Sequence, residues 1–259
     1  MITLKIEEIK KLKSGKYKIK IDGNTIITYD DVLLENNVLT KKDIDNDVYN
    51  EIKESSSYYD AYYKTVNYIT RKMRSEFEIK EYLSKMEIDN EAIKQIVDKL
   101  KTVGLINDEA YIKAYIYDSF NLSNDGPNKI KNFLLTGELN EEVIDQHIST
   151  ISENEVKKKL AKIISKRINN DKKTSAYQLQ QKIITDMINL GYDRNIILEI
   201  INDYNLNDSD KIKKEYTKLY QKYSKTLDDK NLYKRIREKL YAKGFDINEI
   251  QLYMNNLDE

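Results

Sequence analysis

The side chains best placed to do chemistry in this sequence are cations set at helical intervals. Lys157, Lys158, Lys162, Lys166 and Arg167 crowd one stretch, and Lys218, Lys222, Lys225, Lys234, Arg235, Arg237 and Lys239 crowd another. Either set can meet an acidic protein surface or a nucleic-acid backbone. Either can equally do no more than solvate an amphipathic helix. No recognition helix or zinc module is evident, so contact with nucleic acid would run through phosphates rather than base edges. A smaller group, Arg71, Arg74 and Glu78, sits where two helices are expected to join. There a structural network competes with direct contact to a partner.

Other chemistry finds little support. The chain has no Walker phosphate loop, dinucleotide glycine fingerprint or nucleophile elbow. His147 is the sole histidine and shares the helical phase of Ile96, Ile200 and Tyr253, a core-facing position. A general base would also need a nucleophile and an orienting group, which spacing does not supply. The acid pairs Asp30-Asp31, Glu141-Glu142 and Asp228-Asp229 fall near expected helix starts, where capping and the helix dipole already favour negative charge. Asp43, Asp45 and Asp47 lack the glycine and closing glutamate of a calcium loop. Cysteine is absent, which removes disulfides, thiolate chemistry and Cys-ligated zinc. The reading is a non-enzymatic protein without metal or cofactor.

The elements that carry these residues repeat. A short acid or amide, three residues and then an apolar helical face recur at Asp89, Asn140, Asp193 and Asp246. Spacings of this size belong to stacked helical units, whose apolar faces are buried only by their neighbours. Ahead of each recurrence come two further helical patterns. Ser75 caps one of them, with Glu78 placed as in a capping box. Pro127 opens a second and Thr174 or Ser175 a third, while Asp229 caps a fourth. The expected fold is mainly α: tandem three-helix repeats over 57–104, 105–152, 153–206 and 207–259, in a curved array.

Residues 1–56 differ. Tyr17, Ile19 and Ile21 alternate with lysines, and Thr25–Tyr29 follow across Asp22-Gly23-Asn24, which predicts a β-hairpin. Residues Ile2 to Glu7 offer another strand, Asp30 or Asp31 caps a short helix, and Thr40 caps a helix through Ile44, Val48 and Ile52. This small α/β segment is expected to pack on the first repeat.

Lys and Arg balance Asp and Glu at 44 each, but unevenly. Asp30–Asp60 is acidic, whereas Glu153–Leu190 and Lys211–Lys243 are basic. In the third and fourth repeats Lys and Arg gather on the first and second helices and the third helices are comparatively acidic, so stacking like helices would make one basic and one acidic edge. No secretion signal or membrane-length apolar run is present, and a cytoplasmic location is the default.

Several phrases resemble the RecX family of recombination regulators. Arg74-Ser75-Glu76-Phe77-Glu78-Ile79 with Leu83 is similar to its first-repeat motif. Gly104-Leu105-Ile106-Asn107-Asp108-Glu109-Ala110-Tyr111 resembles the junction that follows. Gly126, Ile130, Leu134 and Gly137-Glu138-Leu139-Asn140 resemble its second repeat. The resemblance spans about residues 57 to 259. It implies a protein, monomeric when free, that binds in the groove of the RecA–DNA filament and bridges protomers. It would inhibit filament growth or strand exchange, with possible direct contacts to single- or double-stranded DNA. The alternative reading is a phosphate-backbone-binding module without a RecA partner.

Overall fold

The computed structural model describes residues 3–171, 173–204 and 206–257. Strands β1 (Thr3–Lys11), β2 (Tyr17–Ile21) and β3 (Asn24–Thr28) form an antiparallel meander, and β4 (Asp43–Asp45) joins the other side of β1, giving the order β3-β2-β1-β4. The expected hairpin is present. Asp22 and Gly23 both take positive φ, 44° and 76°, as a two-residue primed turn requires. Its register pairs Ile21 with Asn24 and Ile19 with Ile26. The strand expected over Ile2 to Glu7 runs on to Lys11, while Ile2 itself lies outside the described residues.

Two expectations fail in this segment. Neither Asp30 nor Asp31 caps the short helix, whose N-cap is Tyr29 without a side-chain cap bond; both aspartates lie in its first turn. Thr40 does not cap a helix through Ile44; it ends a 3-10 turn over Val38–Thr40, and Ile44 lies in β4. Asp43-Ile44-Asp45 alternates polar and apolar residues, and it pairs with Thr3–Lys5 while sinking Ile44 into the core. The helix cap is Asp45, whose carboxylate accepts from the Val48 N–H at 2.9 Å. Helix α1 (Asp30–Glu35) precedes this turn, and α2 (Asn46–Ile69) follows it. Being 24 residues long, α2 runs straight through residues 56 and 57. Its residues Ile52 and Tyr59 go to the core beneath the sheet, beside Ile19, Ile21 and Leu33. Its second half gives Ala61 and Ile69 to a core with Ile79, Leu83, Ile96 and Leu100.

The remaining chain is helical. Helices α3 (Glu76–Leu83) and α4 (Asn90–Thr102) complete the first trio with α2. The second trio is α5 (Asp108–Leu122), α6 (Pro127–Leu135) and α7 (Glu141–Ile148). The third is α8 (Glu153–Asn170), α9 (Ala176–Asn189) and α10 (Arg194–Asn202), and the fourth α11 (Ser209–Tyr223), α12 (Asp229–Ala242) and α13 (Ile247–Asn255). Each recurrent acid or amide immediately precedes a third helix, and Asp89, Asp193 and Asp246 cap theirs through the side chain. The chain divides into two compact units: residues through Ala114 with Thr136–Asn140, and Tyr115–Leu135 with everything from Glu141 on.

Within each unit, the start of a second helix is closed by the repeat that follows it. A helix leaves its first N–H groups without internal acceptors, and a buried start must find them elsewhere. Ser75 and Ser175 accept from Glu78 and Gln178 at 3.2 and 3.3 Å. The first N–H of α3, on Glu76, then donates to Asp108 at 2.8 Å. The first N–H of α9, on Ala176, donates to both oxygens of Asp208 at 2.8 and 2.7 Å. Both acceptors stand 32 residues beyond their donors. Asp208 is almost fully buried, with Lys211 Nζ 3.7 Å away.

In the second trio Pro127 occupies the first helical position and has no N–H to offer. Contact there is backbone to backbone: Gly126 N–H donates to the Leu190 carbonyl at 2.6 Å, and Asn128 N–H to the Gly191 carbonyl at 3.1 Å. A Cβ on Gly126 would lie 2.7 Å from the Gly191 carbonyl carbon, so glycine is required for this approach.

Replacing Asp208 with alanine leaves the Ala176 N–H buried without its acceptor, at a cost of about 1–3 kcal/mol. Amide hydrogen exchange is expected to quicken over the first turn of α9 and to stay unchanged over the first turn of α3. Equal loss at both helix starts would contradict a local role for Asp208.

Candidate nucleic-acid and partner interface

The first basic stretch lies on α8. A capping box starts this helix: Ser152 Oγ accepts from the Glu155 N–H at 3.3 Å, and Glu155 accepts from the Ser152 N–H at 2.9 Å and its hydroxyl at 2.6 Å. Hydrogen bonds from Ser152 therefore hold the Glu155 carboxyl below its ordinary range. Val156, Leu160 and Ile164 bury one face of α8. Lys158, Lys162 and Lys166, spaced four apart, project from another and are exposed.

That face forms one wall of a groove of about 870 Å³ whose opposite wall is the end of α5, with Phe120, Asn121, Ser123 and Asn124. Five cations and one carboxylate, Glu155, line it. The cations are not equivalent. Lys159 Nζ donates to the Phe120 carbonyl at 2.5 Å and the Asp125 carbonyl at 2.8 Å, and stands 4.3 Å from the centre of the Phe120 ring. It satisfies carbonyls at the negative end of α5 and ties that end to α8. Burial pushes its ammonium below the usual lysine range, against the opposing pull of Asp125. Arg167 is paired with Asp186 at 3.3 Å. Lys158, Lys162 and Lys166 make no ion pair among the described residues.

Lys157 belongs elsewhere. It bonds Glu153 and Glu199, each at 2.7 Å, and those bonds raise its pKa. One residue of helical phase thus separates a cation spent on internal pairing from three that are not.

The second basic stretch is dispersed. Lys218 pairs with Glu215 at 2.6 Å, and that carboxylate also holds Lys243. Lys222 lies 5.4 Å from the Tyr223 ring centre, and Lys225 is exposed beyond the end of α11. Arg235 reaches Glu238 at 3.5 Å, and Lys239 is half-buried in the last turn of α12. Lys234 and Arg237 come together with Lys230 against Gln251, Met254 and Asn255 of α13, around a notch of about 390 Å³.

At the helix junction of the first trio, Arg74 pairs with Glu78 at 2.8 Å and stacks 4.2 Å from the Tyr68 ring, which itself stacks on Tyr82. Arg74 is therefore built into the fold. Arg71 is exposed. His147 is half-buried near the end of α7.

The residue pattern does not mark Lys159, Lys230 or the α5 wall as parts of a site. Lys159 follows Lys158 in sequence, and only the position of Phe120 and Asp125 separates their roles. Lys230 sits four residues before Lys234, a spacing that could have included it. Nothing in the sequence of Phe120–Asn124 signals a groove. Among the described residues there is no group of three or more His, Cys, Asp or Glu able to hold a metal ion. Among the described residues no helix is long and apolar enough to cross a membrane.

A sequence model of the RecX first three-helix domain matches residues 61–100. The regulatory protein RecX of Streptococcus agalactiae serotype V is 31% identical over 262 residues, covering 96% of this chain and 97% of that protein. The chain belongs to the RecX family. RecX of Listeria welshimeri is 29% identical over 244 residues, covering 92% and 88% of the two chains. A crystal structure of regulatory protein RecX superposes with a TM-score of 0.62 at 24% identity, over 78% of this chain and all of that one. RecX from Lactobacillus salivarius gives 0.53 at 24% identity, over 57% and 97%. These structures share the fold of tandem three-helix units. The RecX first-domain match takes in the second half of α2, α3 and most of α4, which includes the Arg74–Glu78 pair and the Ser75 cap.

Replacing Lys159 with methionine keeps the aliphatic cover on Phe120 but strands two carbonyls, at a cost of about 1–3 kcal/mol. Lys158→Met, one residue away and exposed with no ion pair among the described residues, is expected to fall within about 0.5 kcal/mol of the native chain. Thermal unfolding of the two variants side by side checks the difference.

Proposed function

We propose that this RecX-family protein regulates RecA by lodging along the RecA–DNA filament, bridging neighbouring protomers and limiting filament growth or strand exchange. The observation that carries the reading is the α8 groove, where Lys158, Lys162 and Lys166, none in an ion pair among the described residues, lie between two consecutive repeats, with Glu155 acting on Lys158. Family membership supplies the kind of process such a surface would serve. Unpaired lysines are the residues whose charge is available to an outside partner, while their neighbours are committed within the fold. The protein acts by occupancy rather than catalysis, in the cytoplasm and as a monomer when free. It needs no cofactor of its own. The notch at Lys230, Lys234 and Arg237 offers a second contact, and Arg71 a third. Attraction between exposed charges fades beyond roughly 8 Å at physiological salt, so only contacts made close to the filament count.

Assembly of RecA on single-stranded DNA, followed with and without the full chain, tests this reading. The native protein is expected to slow growth or shorten filaments, and Lys158→Glu with Lys162→Glu and Lys166→Glu to lose most of that effect. Filaments indifferent to the native protein would sink the proposal. Full activity in the triple variant would remove the groove from it.

A further inference from the structure

We infer that the free edge of β3 is a pairing site for a second copy of this chain, the two β3 strands running antiparallel and centred on Ile26. This goes beyond the proposed function and rests on it only for the place where copies are crowded together, along a filament.

The hairpin register decides which groups face outward. Ile21 pairs with Asn24 across the two-residue turn, and Ile19 with Ile26, so the backbone of Asn24, Ile26 and Thr28 is turned toward β2. The N–H and C=O groups of Thr25 and Ile27 point away from the sheet. β3 is the last strand on its side, and among the described residues Thr25 and Ile27 have no backbone partner beyond it. Both residues are exposed, Ile27 at 56%.

A second copy supplies the missing ladder. Centred on Ile26, the pairing sets Thr25 opposite Ile27 of the second copy, and Ile27 opposite Thr25 of the second copy. Each such pair exchanges both its N–H···O bonds. Ile26 meets its own counterpart between them, so the facing side chains are all β-branched, the type that packs best across a sheet.

Charge singles out this edge. Asn24-Thr25-Ile26-Ile27-Thr28 has no charged residue, no proline and no bulge, the features that usually keep an edge from pairing. The opposite edge is guarded: β4 has three residues, and two of them are Asp43 and Asp45. Two copies meeting there would set carboxylate against carboxylate, which is destabilising.

The size of the contact fixes when it forms. A strand of five residues is about 17 Å long, and its edge buries far less than the roughly 1,200 Å² of a stable interface. The free chain therefore stays a monomer. Copies held at neighbouring sites reach effective concentrations on the order of millimolar, where a weak edge contact is populated. Filling of a filament by this chain then becomes cooperative.

Because the chain has no cysteine, the register can be trapped directly. Isotope-labelled full-length Thr25→Cys is mixed with unlabelled Ile27→Cys at high concentration and oxidised mildly, and the linked dimers are sorted by mass. Facing residues of this kind stand about 5.5 Å apart, within disulfide reach. The mixed dimer is expected to exceed either homodimer several-fold. Adding Ile27→Pro to the first variant and Thr25→Pro to the second removes outward N–H groups without touching the β2 ladder. With circular dichroism unchanged, the mixed dimer is expected to fall to the share that random collision gives. A random share in the first mixture, or an excess that survives proline, overturns the inference. RecA assembly on single-stranded DNA is followed in parallel against chain concentration, where the native response is expected to be sigmoidal and that of Ile27→Pro hyperbolic. A native response as hyperbolic as the variant's would also overturn it. Random trapping beside restrained filaments defeats this inference alone, and register-specific trapping beside indifferent filaments defeats the proposed function alone.

Discussion

A helix start that is buried has to be given acceptors, and in this protein the giving is done by the next repeat. Ser75 and Ser175 each satisfy one N–H of their own helix, and the first helical N–H is met by Asp108 or Asp208. An N–H left without a partner away from water costs as much as several favourable contacts return. Correct docking of the following repeat therefore completes the preceding one. Apolar faces hold the trios together, but hydrophobic burial is non-directional. The aspartates supply the direction, because a carboxylate reaches one helix end and no other.

The same economy governs the cations. Lys157 joins α8 to α10, Lys159 joins α8 to the end of α5, and Arg167 joins α8 to α9. What these three leave over is Lys158, Lys162 and Lys166, exposed along one side of α8. Charge on this chain is thus sorted by helical phase into cations that hold trios together and cations that face outward. The even balance of acids and bases in the whole sequence conceals that sorting entirely.

Legibility in the sequence follows the range of the interactions. The Ser75–Glu78 capping box, the primed turn at Asp22-Gly23, the Pro127 start and the recurring acid before each third helix all depend on neighbours a few residues away, and all can be read in advance. Strand β4 escapes because three residues carry too little alternation, and its identity is decided by pairing with Thr3–Lys5. The length of α2 escapes because its face changes partners midway, from the sheet to the first trio, without any break in helical pattern. The groove is half legible: the lysine face shows in the spacing, but the α5 wall and the diversion of Lys157 and Lys159 arise from contacts more than thirty residues away.

Helix α12 differs from α3 and α9 at its beginning. Its N-cap, Asp228, makes no cap bond and instead accepts from the Asn231 side-chain amide at 2.6 Å, in an exposed stretch. Among the described residues no aspartate closes that end as Asp108 and Asp208 close α3 and α9. The joint at those two helices is one carboxylate set 32 residues beyond a helix start. The architecture is in this sense extensible, and longer versions could be engineered by copying a joint instead of redesigning a core.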